Sequence, residues 1–272
     1  LSGDHAAHFP AGELYLGELV RPFECPERWD RIVAALDAVG MDDRLAPDPV
    51  DLGRVGAVHD GAYVEFLRTF WAEWTAAGHT NDAIPTMFPV RGLRHDRVPD
   101  DIDGRLGYYA LAAETSITAG TWQAAAAAAA IAQTAQRLLS DGEETAFALC
   151  RPPGHHAEPG RSMGFCLFNN VVLGAERARR EHGLTRIAVV DFDVHHGNGT
   201  QAAFESDGDM FFASTHQSPL YPGTGAADER GVGNIFNAPL TPESGSDQFR
   251  DAMQSKVFPA LRVFNPELIL IS

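Results

Sequence analysis

Residues 186–201 read RIAVVDFDVHHGNGTQ, and this stretch decides how the rest of the sequence is interpreted. It opens with a short run of apolar residues, which is typical of a strand buried on both faces. Acidic and histidine residues follow directly at positions 191–196. A buried strand that ends in polar side chains predicts a parallel sheet with a ligand site at the carboxyl ends of its strands.

Three more apolar runs of this kind lie elsewhere in the sequence, at residues 146–150, 210–214 and 268–272. Helical patterns lie between the later runs, at 171–182, 200–205 and 247–264. Because strands and helices alternate, we expect an α/β fold of three layers, with a central parallel sheet between layers of helices.

The first half of the sequence predicts helices and one long connection. Helical patterns occur near residues 29–39 and 60–77, each followed by a glycine, and an alanine-rich helix is predicted at 119–139. Residues 79–107 are far longer than a usual connection, so we expect an inserted loop that serves an active site or a contact between subunits. No linker composition is visible, which predicts a single domain over residues 1–272.

Composition and charge exclude several classes of function. The 272 residues include 21 Lys and Arg against 37 Asp and Glu, which gives a formal net charge of −16. An acidic surface repels nucleic-acid phosphates and attracts cationic small molecules or basic peptides, although the same excess also serves solubility alone. The longest run of small apolar residues, 124–131, is too short to span a bilayer. We therefore expect a cationic partner, no nucleic acid and no membrane.

The three cysteines, Cys25, Cys150 and Cys166, are an odd and widely spaced set. This pattern argues against a disulfide framework and favours a reducing compartment. The first ten residues show no signal pattern, and together these features predict a cytoplasmic protein. Cys150 and Cys166 are interpreted as small buried hydrophobic residues rather than as nucleophiles.

The segment after the apolar run at 186–190 carries a possible metal site. If the chain stays extended there, period-two alternation points Asp191, Asp193 and His195 to the same side. Carboxylate oxygen and imidazole nitrogen suit zinc, iron, cobalt or manganese, and a catalytic metal would keep one position for water. A cluster of capping interactions and ion pairs would explain the same residues, because short motifs match by chance.

A pair of histidines favours the catalytic interpretation. His155 and His156 follow Arg-Pro-Pro-Gly, directly after the apolar run at 146–150. A neutral histidine backed by a carboxylate can take a proton from a metal-bound water and deliver it to a leaving amine. We therefore predict His155 and His156 as acid–base residues, with Asp191 as an orienting carboxylate, in metal-assisted hydrolysis of an amide or related carbon–nitrogen bond.

Four motifs together resemble the zinc-dependent histone deacetylase superfamily. They are RPPGHH at 151–156, MGFCLFNN at 163–170, DFDVHHGNGTQ at 191–201 and YPGTG at 221–225. Looser similarities at 84–92, 107–109, 114–117 and 120–122 resemble the bacterial acetylpolyamine amidohydrolases within that superfamily. The resemblance implies the arginase-like α/β fold, a catalytic Zn²⁺, a small cationic acetylated amine as substrate, and a homodimer to which residues 79–107 contribute.

Carried over residue by residue, the resemblance also implies roles for the motif residues. Asp193 and His195 would be zinc ligands and His156 the general base, with His155 beside it and paired to Asp191. The oxygens of a structural K⁺ site would come from Asp191, Asp193, His195, Ser214 and Thr215.

The resemblance further implies a substrate tunnel. Phe165, next to Gly164, and Tyr221 would line it, although ordinary packing explains these aromatic residues as well. Asp103 and Glu114 are the acidic residues that would bind the distal ammonium groups, because a desolvated carboxylate beside an ammonium suits the negative charge of the chain.

One departure from the family pattern concerns the end of the sequence. In the family, a third ligand, an Asp, completes the zinc site, and a Tyr takes part in the transition state. Both residues would fall after Ser272. We expect an incomplete copy of a longer chain, with an inactive fragment as the alternative. Two protein ligands instead of three should bind zinc weakly.

Two alternative functions stay open at this point. The first is a protein acetyl-lysine deacetylase that resembles the class II histone deacetylases. The second is an inactive binding protein built on the deacetylase fold. The intact histidine and aspartate motifs argue against the second alternative, and the missing third ligand argues for it.

Overall fold

The computed structural model describes residues 1–88 and 95–272. The chain divides into two compact units, Leu1–Asn170 and Val171–Ser272. The single domain over residues 1–272 stays a prediction. Within the described ranges, we find no helix with the length and the apolar character that a membrane span needs.

The first unit consists mainly of helices. It begins with a 3-10 helix (Gly3–Ala7) and an antiparallel hairpin of strands β1 (Glu13–Tyr15) and β2 (Glu18–Val20). The helices that follow are α1 (Pro26–Ala38), α2 (Leu52–Val58), α3 (Gly61–Ala76), α4 (Ile102–Tyr109) and α5 (Thr121–Ser140). The helices predicted at 29–39, 60–77 and 119–139 are thereby confirmed as α1, α3 and α5.

The aromatic residues of α3 form part of the core of the first unit. Tyr63, Phe66, Phe70 and Trp74 recur at helical spacing and are all buried. The ring of Phe66 stacks on that of Tyr109 in α4, with a centroid distance of 4.5 Å. Burial of one face drives this helix onto its neighbours.

The long loop predicted at 79–107 is only partly a loop, because α4 begins within it at Ile102. Asp101 caps this helix, since its side chain accepts the N–H groups of Asp103 and Gly104. Residues 89–94 of the predicted loop, which include the last four residues of the motif at 84–92, lie outside the described residues. On the N-terminal side, Ala83 pairs with Ile117 in an isolated bridge.

The prediction of a strand at residues 146–150 is wrong. These residues have no strand assignment, and Phe147 is 58% exposed. An apolar run becomes a strand only where a neighbouring strand pairs with it, and the sequence pattern alone does not reveal that partner.

The second unit is built around a parallel sheet with the order β5-β4-β3-β6. The strands are β3 (Ile187–Asp191), β4 (Met210–Gln217), β5 (Ile235–Leu240) and β6 (Leu268–Ile271). The helices are α6 (Asn170–His182), α7 (Asn198–Phe204), α8 (Ser246–Ala252) and α9 (Phe258–Phe264), and a π-helical turn (Met253–Val257) joins the last two. The α/β class and the strands predicted at 186–190, 210–214 and 268–272 are confirmed.

One face of this sheet packs on the helices at the end of the chain. Val190 of β3, Phe211 of β4 and Ala238 of β5 share a buried cluster with Ala252 and Val257. All five residues of β3 are buried, as expected for a central strand of a parallel sheet.

Candidate active site

The chain bends directly after β3, so the extended backbone on which the period-two alternation depends is absent there. Asp191 ends the strand and is fully buried, and the following residues have no strand assignment. The Asp193 N–H donates to the Asp191 carboxylate at 3.0 Å, and the His195 N–H donates to the Asp193 carboxylate at 2.7 Å. The condition for period-two alternation is therefore not met, because two successive side-chain turns shape this segment instead.

The bend brings two candidate zinc ligands together. His195 Nδ1 lies 3.3 Å from Asp193 Oδ1, and these side chains are 39% and 47% exposed. Oxygen and nitrogen are donors that zinc takes, and two ligands of one tetrahedral zinc lie about this far apart, so the pair fits Zn²⁺. Across residues 1–88 and 95–272, no group of three or more His, Cys, Asp or Glu side chains is placed to hold a metal. The fit therefore rests on two donors.

Ser214 and Thr215 lie at the carboxyl end of β4. Ser214 is aligned with Asp191 in the parallel register of β3 and β4, and all three residues are buried. Among the described residues, Thr215 Oγ1 has no hydrogen-bond partner. A buried oxygen without a partner is compatible with a bound ion or water at this strand end.

Two buried histidines lie next to this strand end, and their hydrogen-bond partners show which ring nitrogen donates. His216 Nε2 is 3.0 Å from the Gly225 carbonyl, which only accepts, so Nε2 carries a proton, and Nδ1 lies 2.9 Å from the Ser214 hydroxyl. His196 Nε2 is 3.0 Å from Gln201 Oε1, so it donates as well, and its Nδ1 lies 2.8 Å from the Thr224 hydroxyl. Both rings therefore donate from Nε2.

Burial favours the neutral form of both histidines. It lowers the pKa of His196 to about 4, and the neighbouring His216 acts in the same direction. Burial also lowers the pKa of His216. The Gln201 amide donates to Glu229 at 2.6 Å, which continues the network that holds His196.

Tyr221 lies beside the candidate zinc ligands. Its ring meets that of His195 edge to face, with a centroid distance of 5.9 Å and an interplanar angle of 85°. The side chain is exposed, so its face is open to a ligand. The role of Tyr221 in lining a substrate tunnel stays a prediction.

The first unit contains the histidine pair. The rings of His155 and His156 lie 4.0 Å apart, and His156 is buried. Arg151, which opens this motif, is also buried, and its Nε donates to Glu24 at 2.8 Å. A buried and paired guanidinium anchors the start of the segment that carries both histidines.

Gly164 packs directly against His156. It adopts a φ of +56°, and a Cβ atom built on it would lie 2.3 Å from Cδ2 of the His156 ring. Phe165 follows with a φ of +64°, which is unusual for a bulky residue, and its N–H donates to the Thr115 hydroxyl at 3.0 Å. The turn thus places Gly164 and Phe165 beside His156.

Glu114 is half-buried, and a second carboxylate that the sequence analysis missed lies near it. Burial raises the pKa of the Glu114 carboxyl. Burial also raises the pKa of Glu13, and the nearby charge of Glu114 acts in the same direction. Glu13 is one acidic residue in a short hairpin, so no sequence signal distinguishes it. Asp103 lies in the first turn of α4, and its role stays a prediction.

Comparison with known proteins decides the family. The histone deacetylase domain matches residues 22–272. The chain belongs to the histone deacetylase family. The resemblance drawn from the four sequence motifs is thereby confirmed.

Several relatives of this histone deacetylase family member are acetylpolyamine amidohydrolases. One from Mycoplana ramosa is 42% identical over 278 residues, covering 100% of this chain and 81% of the relative. Acetylpolyamine amidohydrolase 1 of Pseudomonas aeruginosa is 42% identical over 281 residues, covering 100% of this chain and 80% of the relative. The crystal structure of an acetylpolyamine aminohydrolase from Burkholderia pseudomallei matches with a TM-score of 0.90 and 33% identity, over 100% of this chain and 80% of that chain.

The predicted site residues of this family member fall into two groups. One group lies in the first unit and comprises Asp103, Glu114, His155, His156, Gly164 and Phe165. The other lies in the second unit and comprises Asp191, Asp193, His195, Ser214, Thr215 and Tyr221. The assembly of both groups into one active site stays a prediction.

Gly225 of the YPGTG motif gives a test of the histidine network. Its φ is +88°, and an added Cβ would lie 2.6 Å from both His196 Cγ and His216 Nε2. Gly225→Ala should therefore destabilise the protein by about 1–3 kcal/mol more than backbone strain alone. Chemical denaturation measures the difference.

Gly223→Ala is the matched control for this substitution. Gly223 has a φ of +90°, and no atom lies within 4 Å of its added Cβ, so it reports the backbone strain without the clash. Equal losses of stability in the two variants would show that the two histidines do not pack against Gly225.

Proposed function

We propose that this protein is a zinc-dependent amidohydrolase that removes acetyl groups from acetylated polyamines or related small amines. The observation that carries this proposal is the similarity to acetylpolyamine amidohydrolases along the whole chain. The intact histidine and aspartate motifs supply the residues that such a hydrolysis requires.

Asp193 and His195 would hold the metal. When bound, Zn²⁺ polarises the amide carbonyl and lowers the pKa of a water. The mutual placement of Asp193 and His195, 3.3 Å apart and partly exposed, supports this assignment.

His156 would act as general base and then as general acid. An imidazole nitrogen of His156 takes a proton from the attacking water and later delivers it to the leaving amine nitrogen. His155 lies beside this ring, and we assign Asp191 as the carboxylate that orients His155. Phe165 and Tyr221 would enclose the acyl-amine chain and exclude water from it.

Glu114, together with Glu13, would bind the distal ammonium of the substrate. Both carboxyls are partly withdrawn from water, which strengthens a bond to an ammonium. The charge of Glu114 raises the pKa of Glu13, and a cation bound near both carboxylates relieves this repulsion. The net charge of −16 favours the approach of such a substrate.

Two further assignments complete the proposal. Oxygens of Asp191, Asp193, His195, Ser214 and Thr215 would hold a structural K⁺, and the buried, unpartnered Thr215 hydroxyl supports this. The protein would form a homodimer with a contact that includes residues 79–107. The described part of that segment leads into α4.

Turnover of three substrates tests the proposed activity. We expect kcat/KM for acetylputrescine and acetylspermidine to exceed that for an acetyl-lysine peptide. Each of these amines is a thin chain that carries an ammonium group away from the acetyl group, and the peptide carries no ammonium in that position. Release of acetate from zinc-loaded protein measures each rate. Peptide turnover far above that of both amines would favour a protein deacetylase, and no turnover of any substrate would favour an inactive binding protein.

Glu114→Gln tests the ammonium site. Loss of a charge-assisted hydrogen bond should raise KM for acetylputrescine roughly tenfold or more, with little change for a neutral acetamide of equal length. Burial raises the pKa of Glu114, so as the pH falls this carboxylate is protonated at a higher pH than an ordinary Glu. KM for the cationic substrate should therefore begin to rise at that higher pH. Steady-state kinetics as a function of pH measure both effects.

The exposed Glu143, changed to Gln, is the matched control because it removes the same charge elsewhere in the first unit. If Glu114→Gln raised KM equally for the neutral and the cationic substrates, Glu114 would have no role in binding the ammonium.

A further inference from the structure

His59 follows α2 and joins the two ends of the segment at residues 157–169. Its Nδ1 lies 3.1 Å from the Glu158 carbonyl oxygen and 3.2 Å from the Pro159 carbonyl oxygen. At the other end of the segment, the Asn169 N–H donates to His59 Nε2 at 2.9 Å. The side chain is almost fully buried. One imidazole ring therefore closes this segment into a loop.

The partners of His59 fix where its proton lies. Carbonyl oxygens only accept, so Nδ1 carries the proton, and the Asn169 N–H only donates, so Nε2 carries none. Burial lowers the pKa of His59 to about 4, which keeps the ring neutral. The position thus requires a side chain with a donor on one side and an acceptor on the other.

Neighbouring residues hold the same segment against the start of α3. The Asp60 N–H donates to the Pro159 carbonyl at 2.8 Å, and the Tyr63 hydroxyl donates to the Leu167 carbonyl at 2.7 Å. The ring of His59 also packs against Phe168, with a centroid distance of 5.2 Å. These contacts attach the segment at both ends to one rigid helix start.

The segment tied by His59 carries residues of the proposed site. His156 immediately precedes it, and Gly164 and Phe165 lie inside it. The backbone at Gly164 is already in contact with the His156 ring, so a shift of the segment would change the position of that ring. A displacement of about 1 Å at a reacting group can reduce a rate roughly a hundredfold.

We propose that His59 is a positioning residue, which sets the place of His156 and of the Gly164–Phe165 turn by hydrogen bonding to both ends of the segment 157–169. This inference rests on the proposed role of His156 as general base. His59 touches neither the substrate nor the metal in this assignment and acts only through the segment.

The variants His59→Gln and His59→Met test this proposal as a matched pair. The two side chains are similar in length and flexibility, but only Gln offers a donor and an acceptor. We expect His59→Met to lower kcat for acetylputrescine roughly ten- to hundredfold with little change in KM, and His59→Gln to recover a large part of the loss. Thr134→Val, which removes buried hydrogen bonds to Asp48 and Ala130 in the same unit, controls for a general loss of stability.

Hydrogen–deuterium exchange of the same variants gives a readout that does not need activity. Exchange in residues 157–169 should increase in His59→Met and stay near that of the unchanged protein in His59→Gln and Thr134→Val. Equal kinetics and equal exchange for the Gln and Met variants would overturn the proposal. If the unchanged protein hydrolysed no acetylated amine, the proposed function would fail, and the exchange data would still decide the role of His59.

Discussion

Replacement of His156 by Gln is expected to lower kcat for acetylputrescine roughly 10²–10⁴-fold, which is the usual contribution of a positioned general base. Gln occupies a similar volume but cannot take a proton from water at neutral pH. The His156 ring is buried against Gly164, so the variant should keep the fold of the surrounding turn. Steady-state kinetics, together with the bound zinc and the melting temperature, measure the effect.

The same substitution at His8 is the control for this prediction. His8 is a buried histidine of the first unit, and its Nδ1 lies 2.9 Å from the Thr121 hydroxyl. His8→Gln should change stability but leave kcat per folded molecule close to that of the unchanged protein. A His156→Gln variant that keeps at least one third of kcat would contradict the role of His156 as general base.

Replacement of His195 by Ala, or of Asp193 by Asn, is expected to remove bound zinc. The loss of either ligand should weaken zinc binding by more than about a hundredfold, because a hundredfold is already the upper effect of losing a residue that only supports a ligand. At a free zinc concentration that just fills the site of the unchanged protein, bound zinc should fall from about one ion per chain to almost none. Elemental analysis measures this directly, and hydrolysis should fall in parallel.

His182→Ala and Asp209→Asn are the matched controls, since both residues are exposed and lie in the same unit. Neither variant should lose zinc. If the His195 and Asp193 variants kept a full complement of zinc, the contact between these side chains would be an ordinary ion pair, which is the alternative that the motif alone left open.

The sequence predicted much of the sheet because continuous apolar runs mark buried parallel strands. The runs at 186–190 and 210–214 became the adjacent strands β3 and β4. The strand β5 was missed because Asn237 and Pro239 interrupt its apolar character, and proline is tolerated there since β5 is the outer strand next to β4. The run at 146–150 shows the opposite error, because apolar character without a pairing partner does not make a strand.

The residue types of the candidate site were predictable, but the local geometry was not. The sequence placed Asp193 and His195 on one side by strand alternation, whereas hydrogen bonds from backbone N–H groups to carboxylates bend the chain there. Such turns depend on side-chain rotamers that a spacing pattern does not contain. Glu13 and His59 were missed for a related reason, because the interactions that distinguish them are with residues far away in the sequence.

Diffraction at the zinc absorption edge from crystals of the zinc-loaded protein locates the metal relative to Asp193, His195 and His156. We expect one anomalous peak, within about 2.0–2.2 Å of an Asp193 oxygen and a His195 nitrogen. An imidazole nitrogen of His156 should lie within about 3.2 Å of the water on that zinc. A zinc ion bound elsewhere, or a His156 ring that is out of reach of its water, would show that these three residues do not form one hydrolytic site.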